Sequence, residues 1–466
     1  MIGRILRNSS VYGLGELAAR LTAFALVPVY TLYLEPQELA LWGLGAMGLQ
    51  LLTTTYGLGL QAAVLQGQYD YPDDPEGLRR YNGSVATFLL FWPLFFHALL
   101  EAIGPGTLDA LLPQLPWDPY GRMLSITALL STAAIVPIAA WTAGEKPRAF
   151  VVLNTSKALL ETGLTFALLV AASAGVLSIF AGRLAGAGLV ALPLLFLSFR
   201  RIRPALDWKL LGPTLAFSLP LLPHLLSTWA LTMADRVLLS WLVGDHALGI
   251  YTAAYWFPIA VNVLAMSGYR AWSPRFHKSI DHPDERPALV QATTAFAVSV
   301  VVASVGAAIV APDLVLALFD PRYHSGAPLA RVLVLGAALQ GLYYVAVAPL
   351  YNRKRKVAIP LASFVAAAVN VALNLLWIPE YGAVGAAWAT LLSYGVLVLV
   401  VGVAARRQMV LPLDWRALLG ASAAMLGALF LGDLIPLVGW PGLALRALLG
   451  ALAAGVSLKL VVGSRR

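Results

Sequence analysis

Apolar runs of about 20 residues, separated by short polar or Gly- and Pro-containing turns, recur along the whole chain, and each is long enough to carry a helix across a hydrocarbon core of about 30 Å. The pattern predicts about fourteen membrane helices, over residues 9–33, 39–67, 82–104, 120–143, 148–172, 175–198, 211–243, 247–275, 288–311, 326–351, 357–378, 381–404, 414–436 and 440–462. Because a backbone in hydrocarbon must satisfy its own hydrogen bonds, the expected fold class is an all-α polytopic membrane protein. Composition agrees. Of 466 residues, 59% are hydrophobic and 12% charged, with a mean hydropathy of +0.78, whereas roughly a quarter of residues are charged in soluble domains.

The loops supply an orientation. Arg4 and Arg7, Arg79 and Arg80, Lys146 and Arg148, Arg200 to Arg203, Lys278 and Arg286, Arg353 to Lys356, Arg406 and Arg407, and Arg465 and Arg466 fall on one side of the alternating crossings. By the positive-inside rule that side is cytoplasmic, and both termini lie on it. Arg322 is the one clear basic exception in the opposite loops. The net charge of +9 is therefore read as topology, and no nucleic-acid partner is expected. The first run carries Glu16 and Arg20 without a clear cleavage site, which favours a retained helix over a signal peptide. The absence of cysteine excludes disulfides and thiolate metal sites. The acidic loops Asp70–Asp74 and Asp281–Glu285 contain proline and read as solvated turns. With no nucleophile constellation and no phosphate-binding glycine loop, no catalytic site is expected.

A repeat organises the chain. The segment LALWGL around Trp42 recurs as LGIYTA around Tyr251, at an offset of about 209 residues. The same offset carries the basic turn Gly144–Arg148 onto Arg353–Lys356, and a similar one carries Gly175 onto Gly382. Six helices per repeat is an even number, so the second half enters from the same side as the first and the repeats are parallel. The expected domains are residues 1–205 (helices 1–6), 206–410 (helices 7–12) and 411–466, two added helices.

Three stretches carry a resemblance, in order and at matching spacing: RNSSVYGLGELAARLTAFALVPVYTLYLEPQELALWGL at the start, the Asp235–Lys278 segment with its acid-Arg pair, G-I-Y and A-W-S-P, and LYNRKRKVAIPLASFVAAAVNVALNLLWIPEYGAVGAAWATLLSY. The chain resembles the polysaccharide-biosynthesis flippases, O-antigen-type translocases of lipid-linked oligosaccharides in the multidrug/oligosaccharidyl-lipid/polysaccharide superfamily. The resemblance implies two six-helix lobes in a V around a central cavity, with the two C-terminal helices forming a groove for the lipid tail. It implies a location in the cytoplasmic (inner) membrane. It also implies a polyprenyl-phosphate- or pyrophosphate-linked oligosaccharide as substrate, with membrane lipids and other polysaccharide-assembly proteins as partners. A multidrug exporter of the same superfamily would share the fold, and a membrane-bound glycosyltransferase or polymerase is the rival from another class. The first should have an acidic cavity and the second a large loop or an acidic motif, and the sequence offers neither.

Polar residues at membrane depth are functional candidates, since each charge there costs about 2.5–3.5 kcal/mol on insertion scales. Asn154, Lys157, Glu161 and Thr165 follow one another at helical steps, a single stripe expected to face a cavity. Glu16 and Arg20 stand one turn apart, and Arg183 and Arg270 are further cations at depth. Arg20, Lys157, Arg183 and Arg270, with Glu16, Glu161 and Asn154, are the candidate phosphate- and sugar-binding residues, because guanidinium forks suit phosphate oxygens. Structural ion pairs, Glu16–Arg20 and Lys157–Glu161, are the bland alternative. In the second half Asp235, Asn370, Asn374 and Thr390 offer carboxylate, amide and hydroxyl oxygens of the kind a hard cation takes. The resemblance implies a coupling Na⁺ there. A proton on Asp235, or the membrane potential alone, would serve instead, and Asp235 could equally pair with Arg236 while the Asn residues bond across helices. No other cofactor is expected.

Overall fold

The computed structural model describes residues 24–71, 73–200, 204–353, 358–437 and 439–463. Apart from single turns, the elements are α1 (Val27–Tyr33), α2 (Pro36–Gly57), α3 (Leu60–Gly67), α4 (Pro75–Ile103), α5 (Arg122–Thr132), α6 (Ile135–Ala143), α7 (Pro147–Ala171), α8 (Leu177–Phe199), α9 (Trp208–Ser218), α10 (Leu222–Leu242), α11 (Asp245–Ala254), α12 (Trp256–Ser279), α13 (Arg286–Leu318), α14 (Ala327–Asn352), α15 (Ala358–Arg406), α16 (Trp415–Asp433) and α17 (Trp440–Gly463). There is no strand among the described residues. Ten helical stretches among them are long and apolar enough to cross a membrane. The all-α polytopic fold class holds, and every expected span beyond the first falls on one helix or on a pair of consecutive helices. Most of the span 9–33 lies outside the described residues.

Four expected spans are broken partway: that of 39–67 at Leu58 and Gly59, whose φ angles are 46° and 67°, and three others where proline accounts for the break. A proline cannot donate to the carbonyl four residues earlier. Pro137 leaves Ala133 without that bond, and α5 gives way to α6 at Ala133–Ala134. Pro258 does the same to Ala254, where α11 ends, and Pro223 to Leu219, where α9 turns into α10. Proline is not sufficient, because Pro93 and Pro193 sit inside the continuous helices α4 and α8. The 49 residues of α15 would extend about 74 Å if straight, far beyond a bilayer. The chain reverses instead at Gly382, whose φ of 58° and ψ of −136° suit only glycine. Gly175, at the matching place in the first repeat, has φ 56°.

The chain divides into two compact units, one containing Glu38–Trp229 and the other Val27–Gln37 with Ala230–Arg466. In the first, Val64, Tyr81, Val85, Leu89, Ile135 and Leu211 share a core. The helices α7 and α8 meet closely at Gly182 and Gly186. A Cβ at Gly186 would stand 2.7 Å from Glu161 Cγ, and one at Gly182 would stand 2.7 Å from Thr165 Cα. Small residues spaced four apart allow such close approach in a membrane, where apolar burial gives helices no reason to prefer each other over lipid.

In the second unit α13 is the central post. The added helices pack on it, with Ala421, Met425, Ala428 and Ala453 in one cluster with Val301, Val305 and Ile309. Arg446 of α17 donates to Asp313 Oδ1 at 2.6 Å and to the carbonyls of Gly432 (3.0 Å) and Ile435 (2.9 Å) at the end of α16. Residues 312–318, read as loop from the sequence, are helical and Asp313 is buried, because the apolar Leu314–Leu318 continues the helix and Arg446 neutralises the acid. A second pair, Arg331–Asp433 at 2.6 Å, ties α14 to α16.

Arg322, the exception to the charge rule, has its charge answered locally. It pairs with Asp320 at 2.7 Å and with Glu35, and its Nη2 donates at 3.2 Å to the carbonyls of Thr31 and Leu32. Those carbonyls belong to the C-terminal turn of α1, where a helix has orphan acceptors and attracts cations. The neighbouring Tyr323 hydroxyl donates to Leu34 O at 3.0 Å. The Arg322 guanidinium holds the Asp320 carboxyl below the usual carboxylate range, so this pair persists through neutral pH and is lost only as pH falls through that lowered value.

Replacing Arg446 by Met strands Asp313 as an unpaired buried acid. Stability should fall by about 3–5 kcal/mol in detergent unfolding experiments, and adding Asp313→Asn should recover most of the loss. Arg322→Ala should abolish hydrogen-exchange protection at Tyr30–Leu34 while leaving α16 and α17 protected.

Candidate functional site

The second unit holds a buried charge pair inside an apolar helix. Asp235 and Arg236 of α10 are 1% and 4% exposed. Arg236 Nη1 donates to Asp235 Oδ1 at 3.1 Å and to Thr232 O at 2.8 Å. Its guanidinium carbon lies 4.3 Å from the ring centroid of Tyr255, a cation–π arrangement that strengthens with desolvation. The other carboxylate oxygen, Oδ2, accepts from the Tyr251 hydroxyl at 2.5 Å. Tyr255 lies in the proline-induced break between α11 and α12, so the interruption places an aromatic face against the cation. The short turn that returns α11 to α10 is possible because Gly244 takes a φ of 111°, and Ser240 donates to Asp245 across it at 2.6 Å.

Asn370 and Asn374, on the first half of α15, and Thr390, beyond the Gly382 reversal, are also buried. Asn374 Nδ2 donates to Asn370 Oδ1 at 3.0 Å. Asn374 Oδ1, Asn370 Nδ2 and Thr390 Oγ1 are buried without a partner, which is uncommon, since most buried polar atoms are bonded. As ligands for Na⁺, the four candidates divide. The neutral oxygens of Asn374 and Thr390 have capacity to spare, but both Asp235 oxygens are engaged and its charge is matched by Arg236. An ion about 4 Å from that guanidinium would meet roughly 4 kcal/mol of repulsion at an effective dielectric of 20. The donor set does not fit a free cation on Asp235. Among the described residues, no three His, Cys, Asp or Glu side chains gather as metal ligands.

In the first unit the stripe on α7 has two fates. Glu161 and Thr165 lie against the glycines of α8, and Thr165 is buried. Lys157 is half-buried, with Nζ 3.7 Å from Glu161 Oε1 and 3.4 Å from Ser131 Oγ. Asn154 spends its amide on Phe150 O at 2.9 Å. Arg183 on α8 stacks over the buried Trp42, 4.3 Å from the ring centroid, and Phe180 meets the same ring edge-on at 5.4 Å. Among the described residues no carboxylate pairs with Arg183. Arg270 is exposed on α12, well before its end at Ser279, and Glu16 and Arg20 lie outside the described residues.

Sequence reasoning passed over the tyrosines that surround the Asp235–Arg236 pair, because aromatic residues in an apolar helix look like core. It also passed over Gly182 and Gly186, although their small-xxx-small spacing is itself a packing signal.

These features define a class: an all-α, multi-pass membrane protein with duplicated helices, charges held at membrane depth and two added C-terminal helices. The chain belongs to the polysaccharide biosynthesis protein family, whose model matches residues 5–280. Its fold is similar to that of the lipid II flippase MurJ in an inward closed conformation, at a TM-score of 0.78 and 14% identity, with 96% of this chain and 98% of that one covered. It is also similar to an inward-facing multidrug resistance MATE transporter of the MOP superfamily, at a TM-score of 0.64 and 14% identity, with 86% and 94% covered. A MOP-superfamily transporter from Pyrococcus furiosus, described as having a binding pocket of reversed polarity, gives 0.61 at 15% identity, with 87% and 95% covered. No curated protein matches the chain.

Arg236→Leu in a potassium buffer leaves Asp235 buried and unpaired, and should lower stability by about 3–5 kcal/mol. The double variant Asp235→Asn/Arg236→Leu should lose less than the single one, as read by thermal unfolding in detergent.

Proposed function

We propose that the protein is a flippase. It moves a polyprenyl-phosphate- or pyrophosphate-linked oligosaccharide from the cytoplasmic to the outer leaflet of the cell membrane by alternating access, with both termini cytoplasmic, and it performs no covalent chemistry. Membership of the polysaccharide biosynthesis family is the observation that carries this reading. The fold likeness supports it. The match to a lipid II flippase extends over 96% of the chain and the match to the multidrug transporter over 86%, a difference of about the length of α16 and α17 together.

The first unit's chemistry points the same way. Arg183, stacked over Trp42 with no carboxylate partner among the described residues, would offer N–H groups to an anionic head, and a guanidinium fork suits phosphate. Lys157 stands beside Glu161, so the described part of this unit carries a net positive charge at depth, the reverse of what an organic cation would prefer. Arg20, Arg270, Glu16 and Asn154 join them as candidates for the head group and sugar. In the second unit an apolar cleft of about 720 Å³ is lined by Leu342, Val345, Val398, Leu399, Trp415 and Leu418, with Arg406 on its wall. Its apolar walls suit part of a polyprenyl tail, with the cation near the head-group region.

In liposomes containing the protein and a lipid-linked oligosaccharide, the glycan should become accessible to an external lectin within the assay time. Arg183→Ala should slow this about tenfold, the loss expected for one charge-assisted contact of roughly 1.4 kcal/mol. Export of a cationic dye without glycan exposure would overturn the reading.

A further inference from the structure

We propose that Arg236 is a tethered cation that fills the coupling-ion position at Asp235, so that the second unit takes up no free Na⁺ there. Three contacts fix the guanidinium independently of one another: Asp235 Oδ1 at 3.1 Å, Thr232 O at 2.8 Å and the Tyr255 face at 4.3 Å. The remaining carboxylate oxygen is taken by Tyr251. The pair is neutral and shielded from solvent, and a second positive charge beside it would be uncompensated in a region where unpaired charge is least tolerated. The unpartnered oxygens of Asn374 and Thr390 are neutral and supply no countercharge of their own. A cation that is part of the chain cannot exchange with either aqueous side. This acid therefore couples transport to no Na⁺ gradient, whatever substrate moves, and Arg236 is the residue that sets this specificity. Removing it should release the carboxylate and leave Asp235 free to take up Na⁺.

The test is ion binding by the purified full-length protein, a readout that does not depend on what is transported. Melting temperatures are compared in NaCl, KCl and choline chloride at equal ionic strength, since a ligand that binds only the folded state raises the melting point. The wild type should melt at one temperature in all three salts. Arg236→Leu should gain a rise specific to NaCl, and Asp235→Asn/Arg236→Leu should lose it again. A NaCl-specific rise in the wild type overturns the proposal, and so does its absence in Arg236→Leu. Should that variant not fold, equilibrium dialysis of the wild type against radioactive sodium decides: stoichiometric retention that disappears in Asp235→Asn overturns the proposal, and no retention supports it.

Discussion

A carboxylate and a guanidinium buried side by side in an apolar helix persist only as a pair, and much of this structure follows from that constraint. Hydrocarbon supplies no water to screen a charge, so each buried charge must carry its countercharge or a dense set of dipoles with it. Asp235 has Arg236 and Tyr251; Arg446 has Asp313 and two helix-end carbonyls. These pairs contribute little net attraction once desolvation is counted. The Arg446–Asp313 pair also sets register, because a one-turn slip of α17 against α13 would leave both charges bare, whereas Asp235 and Arg236 share α10 and depend on register only for Tyr251 and Tyr255.

The same solvent explains the broken helices. A proline leaves one carbonyl without its usual donor, and hydrocarbon tolerates this only where protein surrounds the gap. At Ala254–Tyr255 the surroundings are the charge pair itself, and the irregular backbone becomes the means of aiming Tyr255 at Arg236. The site is thus assembled from two departures from regularity, a charged dipeptide and a helix break, each of which makes the other tolerable.

Much of this architecture could be read in the residues. Hydropathy located the helices because the bilayer imposes a length, and the duplication showed in Trp42 and Tyr251 and in the two glycines that adopt positive φ at matching turns. The breaks could not be read, since Pro137 and Pro258 interrupt helices whereas Pro93 and Pro193 do not, and the difference lies in packing. The Asp235–Arg236 pair stood out by its charge, but its partners did not: tyrosines are ambiguous between core and site until their hydroxyls have addresses. Asp313 was hidden by its place within an expected loop, and its partner Arg446 lies 133 residues away.

The clamp on α1 bears on how the protein is made. Arg322 and Tyr323 bond carbonyls some 290 positions earlier in the chain, so the end of the first helix cannot reach its final bonding until most of the protein has been synthesised and inserted. Contacts of such sequence separation form late, because the chain between them must first be confined. During biogenesis the segment from Val27 to Gln37 would wait in the bilayer with its last carbonyls unanswered. Its docking would report that the second repeat has arrived.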